Sequence, residues 1–95
     1  MRSILIASLV SIGVLAGGQA LASEQLSKDA GCVKCHDIDK KKKGASVKSI
    51  AAKYKGKAGA ADQLVADLKA EKDDHPKPKT SDADLKAIVT WMLAQ

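Results

Sequence analysis

The segment Cys32-Val33-Lys34-Cys35-His36 constrains this 95-residue chain more than any other feature. Two thiols separated by two residues and followed at once by a histidine form the attachment signature of a c-type haem. Each thiol can add across one haem vinyl group to form a thioether, and the spacing of the cysteines matches that of the two vinyls. The histidine is then placed under the iron as its proximal ligand. The motif therefore predicts one covalently attached haem c, bound by Cys32 and Cys35, with His36 as an iron ligand.

Three other kinds of site compete for the same residues. A thioredoxin-like Cys-x-x-Cys pair requires an α/β context, and the sequence contains no βαβ pattern. A zinc site would use Cys32, Cys35, His36 and His75, but the adjacent Cys35 and His36 would strain to bind one tetrahedral ion. A structural disulfide would suit an oxidising compartment, yet it leaves the histidine after the second cysteine unexplained. Haem attachment accounts for both cysteines and for the histidine that follows them, and it is the preferred interpretation.

Residues 1–22 have the pattern of a cleavable secretory signal peptide. Arg2 supplies the positive end, and Ala20-Leu21-Ala22 forms a small-x-small cleavage site. The apolar run 4–18 is short for a membrane span, which needs about 20 residues. The mature chain would then be residues 23–95, a single domain in the periplasm, because c-type haem is attached outside the bacterial cytoplasm. An uncleaved membrane anchor is the alternative.

Charge and composition limit the partners of this mature chain. Removal of Arg2 leaves 15 of the 16 basic residues and all 11 acidic ones, a formal charge of +4. With no arginine, and only Tyr54 and Trp91 as aromatics, nucleic-acid binding is not expected. The lysines instead predict steering toward an acidic redox partner, and the run Lys40–Lys43 predicts a solvated loop. A chain this short has a marginal core, which a large apolar cofactor would complete.

Apolar residues at helical spacing predict an all-α fold. A first helix is expected to open at Ser23 as its N-cap and to run up to Gly31. A last helix is expected to open at Ser81, and Pro76 and Pro78 keep the preceding loop out of helix. Strand alternation and internal repeats are not seen. The three apolar stripes are Val47, Ile50, Ala51 and Tyr54; Ala61, Leu64, Val65 and Leu68; and Leu85, Ile88, Val89 and Met92.

With these elements in place, residues 23–95 resemble the short bacterial class I monohaem cytochromes c. The resemblance implies three to four helices around one haem, with the first and last helices crossing and Trp91 packed on the first near Leu26 and Ala30. It also implies electron transfer rather than enzymatic activity. The residues that carry it are Gly31 through His36, Ala51-Ala52-Lys53-Tyr54, Gly56-Lys57-Ala58-Gly59-Ala60, and Ser81-Asp82 through Trp91.

Two positions depart from that family. Its members usually have proline after the glycine that matches Gly44, and the carbonyl of that proline accepts a hydrogen bond from the proximal imidazole. Here Ala45 supplies the carbonyl, which would orient the ring of His36. The second departure is larger, because the family's distal methionine is replaced by His75, directly before Pro76.

The sixth coordination site of the iron therefore has four candidate arrangements. Met92 lies on the apolar stripe of the last helix, where methionine is more often core filling than a ligand. If His75 were instead exposed to solvent, the iron would bind water or keep an open site. A lysine would have to lose its proton before it could bind the iron. We expect His75 to be the distal ligand, because histidine is a common metal ligand and this one lies in a stiff proline-rich loop. A second imidazole in place of sulfur favours ferric iron and lowers the potential.

The sequence thus predicts a soluble periplasmic electron carrier that is not an enzyme and has no stable membrane insertion after signal cleavage. Its expected partners are redox proteins with acidic docking surfaces, multihaem cytochromes among them. The alternative is a haem protein with an open or displaceable distal site, which binds a small gas or acts as a weak peroxidase.

Overall fold

The computed structural model describes residues 16–95, so most of the apolar run of the predicted signal peptide lies outside the described residues. The described chain is helical, with one isolated β-bridge between His36 and Lys41 and no strand. The all-α prediction is confirmed. Within the same range, no helix has both the length and the apolar character needed to cross a membrane. The helices are α1 (Ala16–Asp29), α2 (Val47–Tyr54), α3 (Ala60–Lys69) and α4 (Asp82–Leu93), with 3₁₀ turns at Cys32–Lys34 and Lys72–Asp74.

Helix α4 is the centre of the fold, because α1, α2 and α3 each pack against it. It buries Leu85, Ile88 and Val89, and α2 adds Val47 and Ala51. These residues lie on the stripes that the periodicity predicts, and the contact between the first and last helices is present. Full burial of one such aliphatic side chain stabilises the fold by about 1.5–3 kcal/mol. The core is therefore small, and it is centred on α4.

Two helices begin at serine caps. The Oγ of Ser46 accepts a hydrogen bond from the backbone N–H of Ser49 at the start of α2, at 3.2 Å. The Oγ of Ser81 accepts one from the backbone N–H of Asp84 at the start of α4, also at 3.2 Å. The predicted start of the last helix at Ser81 is therefore confirmed, and each such cap contributes about 1 kcal/mol.

The predicted start of the first helix is wrong for the full chain. Helix α1 begins at Ala16, so Ser23 lies inside it rather than at its N-cap. The segment Ala20-Leu21-Ala22 consists of strong helix formers, which let the helix extend back through the predicted cleavage site. Beyond the C-terminal end of α1, Gly31 adopts φ +84°, a left-handed conformation that glycine reaches without steric cost. This residue turns the chain into the cysteine motif.

Candidate haem site

The two cysteines lie on and just after the 3₁₀ turn that follows α1. Both thiols are free and partly buried, so the structure does not contain the alternative disulfide between them. The backbone N–H groups of Cys35 and His36 both donate to the carbonyl of Cys32, at 3.2 and 2.9 Å. Burial raises the pKa of the Cys32 thiol, and the neighbouring Ser27 hydroxyl offsets part of that rise. The turn thus holds both thiols and the imidazole in one compact unit.

His36 is oriented by a backbone carbonyl. Its Nδ1 lies 2.7 Å from the carbonyl oxygen of Ala45. Because a carbonyl can only accept, Nδ1 carries the proton and Nε2 keeps a free lone pair. Such a hydrogen bond fixes the ring and raises the basicity of the free nitrogen. Ala45 therefore supplies the carbonyl that the family resemblance implies, without the proline.

Gly44 lies directly against the ring of His36. A Cβ added to Gly44 would lie 2.7 Å from the Nδ1 and 2.9 Å from the Nε2 of His36, closer than real Cβ contacts allow. Its own N–H donates to the carbonyl of Cys35 at 2.9 Å. The sequence predicts Gly44 as a turn residue, but the structure shows that its missing side chain is what the site requires. The one sequence signal for this role is its place directly before Ala45, whose carbonyl accepts the hydrogen bond from His36 Nδ1.

The structure brings His75 beside His36, although the two residues are 39 positions apart in the chain. Their ring centroids are 6.1 Å apart and their planes differ by 14°. The Nδ1 of His75 lies 2.7 Å from the carbonyl oxygen of Pro76, so the same argument leaves its Nε2 free. Both imidazoles therefore have the tautomer that a metal ligand bound through Nε2 requires.

The chain reaches His75 through an unusual bend. Three non-glycine residues just before it have positive φ: Glu71 at 54°, Asp73 at 56° and Asp74 at 60°. A left-handed conformation costs an L-residue roughly 1–2 kcal/mol, although Asp tolerates it better than most. No residue of the adjoining 3₁₀ turn is buried. The segment just before His75 is thus bent at some cost in conformational free energy, and its 3₁₀ turn has no buried residue.

The residues present fit a covalently attached haem, since two free thiols lie beside His36 and a second imidazole lies near it. Imidazole nitrogen binds metal ions at about 2.0–2.1 Å, so two rings that bound one iron from opposite sides would lie several ångströms apart. The observed separation of the His36 and His75 centroids is 6.1 Å. Among the described residues, no three His, Cys, Asp or Glu side chains converge where they could hold a metal ion. This finding contradicts the zinc alternative, whose four residues are all described.

The predicted lysine loop, Lys40–Lys43, is exposed as expected, but it is held against the haem-binding motif. Lys41 forms the isolated bridge with His36, and the Nζ of Lys42 donates to the carbonyl of Val33 at 3.2 Å. The backbone of Lys41 and the side chain of Lys42 therefore tie this exposed loop to the cysteine motif.

Asp37 fixes the start of this loop, a role that the sequence does not reveal. Its Oδ2 accepts the backbone N–H of Lys40 at 3.0 Å and that of Asp39 at 3.1 Å. These two hydrogen bonds lower the pKa of the Asp37 carboxyl. The turn sends the chain away from His36 and returns it at Gly44.

Comparisons with known proteins show the family of this chain. The family model described as Cytochrome c matches residues 18–95. Cytochrome c-551 of Azotobacter vinelandii is 41% identical over 76 residues, which cover 74% of this chain and 93% of the relative. Cytochrome c-552 of Nitrosomonas europaea is 32% identical over 100 residues, covering 98% of this chain and 97% of the relative.

Solved structures give the same result for the fold. The crystal structure of the class 1 cytochrome MtoD from Sideroxydans lithotrophicus ES-1 superposes with a TM-score of 0.66 at 32% identity, covering 77% of this chain and 91% of that one. Wild-type Nitrosomonas europaea cytochrome c552 superposes with a TM-score of 0.64 at 35% identity, covering 74% and 95%. The chain therefore belongs to the cytochrome c family, as a short class I monohaem cytochrome c with one covalently attached haem c, and it is an electron carrier rather than an enzyme.

Proposed function

We propose that residues 23–95 act as a soluble one-electron carrier in which the haem iron is ligated by both His36 and His75. Cys32 and Cys35 hold the haem through two thioethers. The observation that carries this proposal is the pair of near-parallel imidazole rings, 6.1 Å apart. When bound, the haem supplies an iron centre that takes up and releases one electron.

The same kind of hydrogen bond to a backbone carbonyl orients both histidines. The carbonyls of Ala45 and Pro76 accept hydrogen bonds from the two Nδ1 atoms, so the backbone already orients both rings. Imidazole donates more strongly than a thioether sulfur and favours ferric iron, so the midpoint potential should lie below that of relatives with a methionine ligand. With protein side chains on both faces, the site is built to pass electrons and not to bind a substrate.

Export to the periplasm, with removal of residues 1–22, is part of this proposal. It is supported by the positive end, apolar run and small-residue cleavage site of that segment. The site adds a second argument, since thioether attachment of haem takes place outside the bacterial cytoplasm.

The partner is proposed to be a redox protein with an acidic surface that docks over the lysine loop; multihaem cytochromes remain the candidate class. Residues 31–57 hold nine lysines and two acidic residues, whereas residues 58–95 hold five lysines and seven acidic residues. The ion pairs within the described residues use neither Lys34 nor Lys40–Lys43. In the same motif, the apolar Val33 is 37% exposed. A positive surface with an apolar centre at the haem-binding motif suits an acidic partner.

Replacing His75 tests the ligation. Wild-type protein should give a low-spin spectrum in both oxidation states, without the far-red sulfur-to-iron band. His75→Met should create that band and raise the midpoint potential, because thioether sulfur favours ferrous iron. His75→Ala should open the site, so that the reduced protein binds carbon monoxide. Visible spectroscopy and redox titration of the purified haem proteins measure all of these changes.

Met92 provides the matched control. It is a half-buried residue of α4, so Met92→Leu should leave the spectrum and potential unchanged. A sulfur band in the wild type that disappears in Met92→Leu would show that Met92, not His75, binds the iron.

A second candidate function, binding of a small gas, is favoured by the bend before His75. The positive φ values of Glu71, Asp73 and Asp74 would make release of that loop less costly than release of a relaxed one. Carbon monoxide added to reduced wild-type protein separates the two functions. No binding supports the electron carrier, and ready binding supports a displaceable His75.

A further inference from the structure

Residues 37–45, the proximal loop, leave His36 and return to it. At the far end of the loop the carbonyl of Ala45 lies 2.7 Å from the Nδ1 of His36, nine positions away along the chain. Ala45 itself is exposed, and its backbone N–H donates no hydrogen bond within the described residues. Helix α2 holds the chain after Ala45, but the chain before it has to be held by the loop.

Lys42 fastens this loop to the cysteine motif. Its Nζ donates to the carbonyl of Val33 at 3.2 Å, and its backbone N–H donates to the carbonyl of Gly44 at 3.1 Å. Among the described residues, no other side chain of the proximal loop makes a hydrogen bond or an ion pair to residues 32–36. The side chain of Lys42 therefore does what no other side chain of this loop does.

The contacts of Lys42 lead directly to the proximal imidazole. Gly44, which accepts the Lys42 N–H, donates its own N–H to the carbonyl of Cys35 at 2.9 Å. Gly44 also lies against the ring of His36, and the next residue is Ala45. A loop released from Val33 would thus shift the backbone one residue away from the carbonyl that orients the ring.

We propose that Lys42 is a positioning residue for the proximal iron ligand, which it serves by holding the Ala45 carbonyl on the Nδ1 of His36. This hydrogen bond raises the basicity of the nitrogen that binds the iron, and stronger donation by an axial ligand favours ferric iron. Lys42 therefore lowers the midpoint potential through the loop. The proposal rests on the proposed ligation by His36 and does not depend on His75.

The positive charge of Lys42 acts on the potential in the opposite direction. A nearby cation disfavours ferric iron, which carries the larger positive charge, so loss of the charge alone lowers the potential. Loss of the hydrogen bond to Val33 raises it. Lys43 is the matched control, because it is an exposed lysine of the same loop and its Nζ forms no ion pair within the described residues.

Three variants of the haem protein test the proposal. K42M removes the donor and the charge, K43M removes only an equivalent charge, and K42R keeps both charge and donor. Redox titration should give K42M a higher midpoint potential than K43M, with K42R close to the wild type. Exchange of the His36 Nδ1 proton with deuterated solvent, followed by NMR of the reduced protein, should be roughly two- to tenfold faster in K42M than in K43M, the range that one net hydrogen bond supports.

Equal potentials and equal exchange rates for K42M and K43M would show that Lys42 contributes only charge. A higher potential without faster exchange would also overturn the proposal, since the loop would not be the route. Faster exchange with equal potentials would confirm the hold on the carbonyl and overturn its effect on the iron. A K42R protein that behaves like K42M would contradict the role of the donor.

Failure of the ligation itself would look different. The haem ring current shifts the proton resonances of an iron-bound His36 far from their usual positions in every variant. Absence of that shift would contradict the ligation by His36 rather than the role of Lys42. Failure of ligation by His75 would appear in the spectra of the His75 variants and leave the comparison of K42M with K43M intact.

Discussion

At Gly44 the chain passes so close to His36 that even a methyl group would collide with the imidazole. The same few residues supply the carbonyl of Ala45 that holds Nδ1. The ring is therefore held by a close backbone contact on its face and a hydrogen bond on its edge. Single positions such as Gly44 and Ala45 therefore decide how firmly the ring of His36 is oriented.

Gly44→Ala should displace His36 and destabilise the protein, because the added Cβ has no space. Gly56→Ala is the matched control: a Cβ there meets nothing within 4 Å, but φ is +74°, so the left-handed strain alone should cost about 1 kcal/mol. We expect Gly44→Ala to cost more than the control and to alter the visible spectrum. Denaturant unfolding and spectra of both haem proteins measure this, and equal costs with unchanged spectra would contradict it.

At this scale the sequence predicts residues whose chemistry is visible in the residue type and spacing. The motif Cys32 to His36 and the position of His75 before Pro76 are of this kind, and their ligand roles remain predictions. The contact of Gly44 with His36 depends on the approach of two segments in space. Its one trace in the sequence is the position of Gly44 directly before Ala45.

Among the elements, the helices with a clear apolar stripe are the ones that the sequence predicts well. Helices α2, α3 and α4 contain the predicted residues, since each has a polar face and an apolar face that α4 or its neighbours can bury. The start of α1 could not be predicted in the same way, because the residues just before Ser23 are mostly small and show no apolar stripe of helical period. The two 3₁₀ turns have no periodic pattern at all.

Ser81→Ala should remove the cap of α4, the helix against which the others pack. The lost hydrogen bond to the Asp84 N–H should lower the free energy of unfolding by about 1 kcal/mol. Thr90→Ala, at an exposed position later in the same helix, should change it by less than about 0.5 kcal/mol. Chemical denaturation of the haem protein measures both, and a cap variant as stable as the control would contradict the role of Ser81.

Taken as a whole, the molecule has an uneven distribution of charge. Residues 31–57 carry a formal +7 and residues 58–95 a formal −2. Each of the two stacked histidines belongs to one of these segments. An acidic redox partner should therefore be attracted most strongly by residues 31–57.

Ferricyanide, an anionic oxidant, tests this asymmetry. Its rate of oxidation of the reduced protein should fall as salt rises, since exposed charges are screened beyond about 8–10 Å at physiological ionic strength. The double variant K41E/K43E should lower both the rate and its salt dependence more than K77E/K79E, which changes the net charge equally. Stopped-flow kinetics measure the rates, and identical slopes for the two variants would show that the lysine loop does not steer.

Helix α1 runs through the point at which the signal peptide is predicted to be cut, with half of its 14 residues on each side. Cleavage after Ala22 would place a new protonated α-amino group at the N-terminus of the remaining helix, where the helix dipole is also positive. Such a charge is unfavourable by about 0.3–1 kcal/mol. Glu24, now in the first turn, has the opposite sign and offsets it. The shortened helix is under two turns long and would not be stable alone, so its contact with α4 is what would keep the segment leading to the cysteines in place.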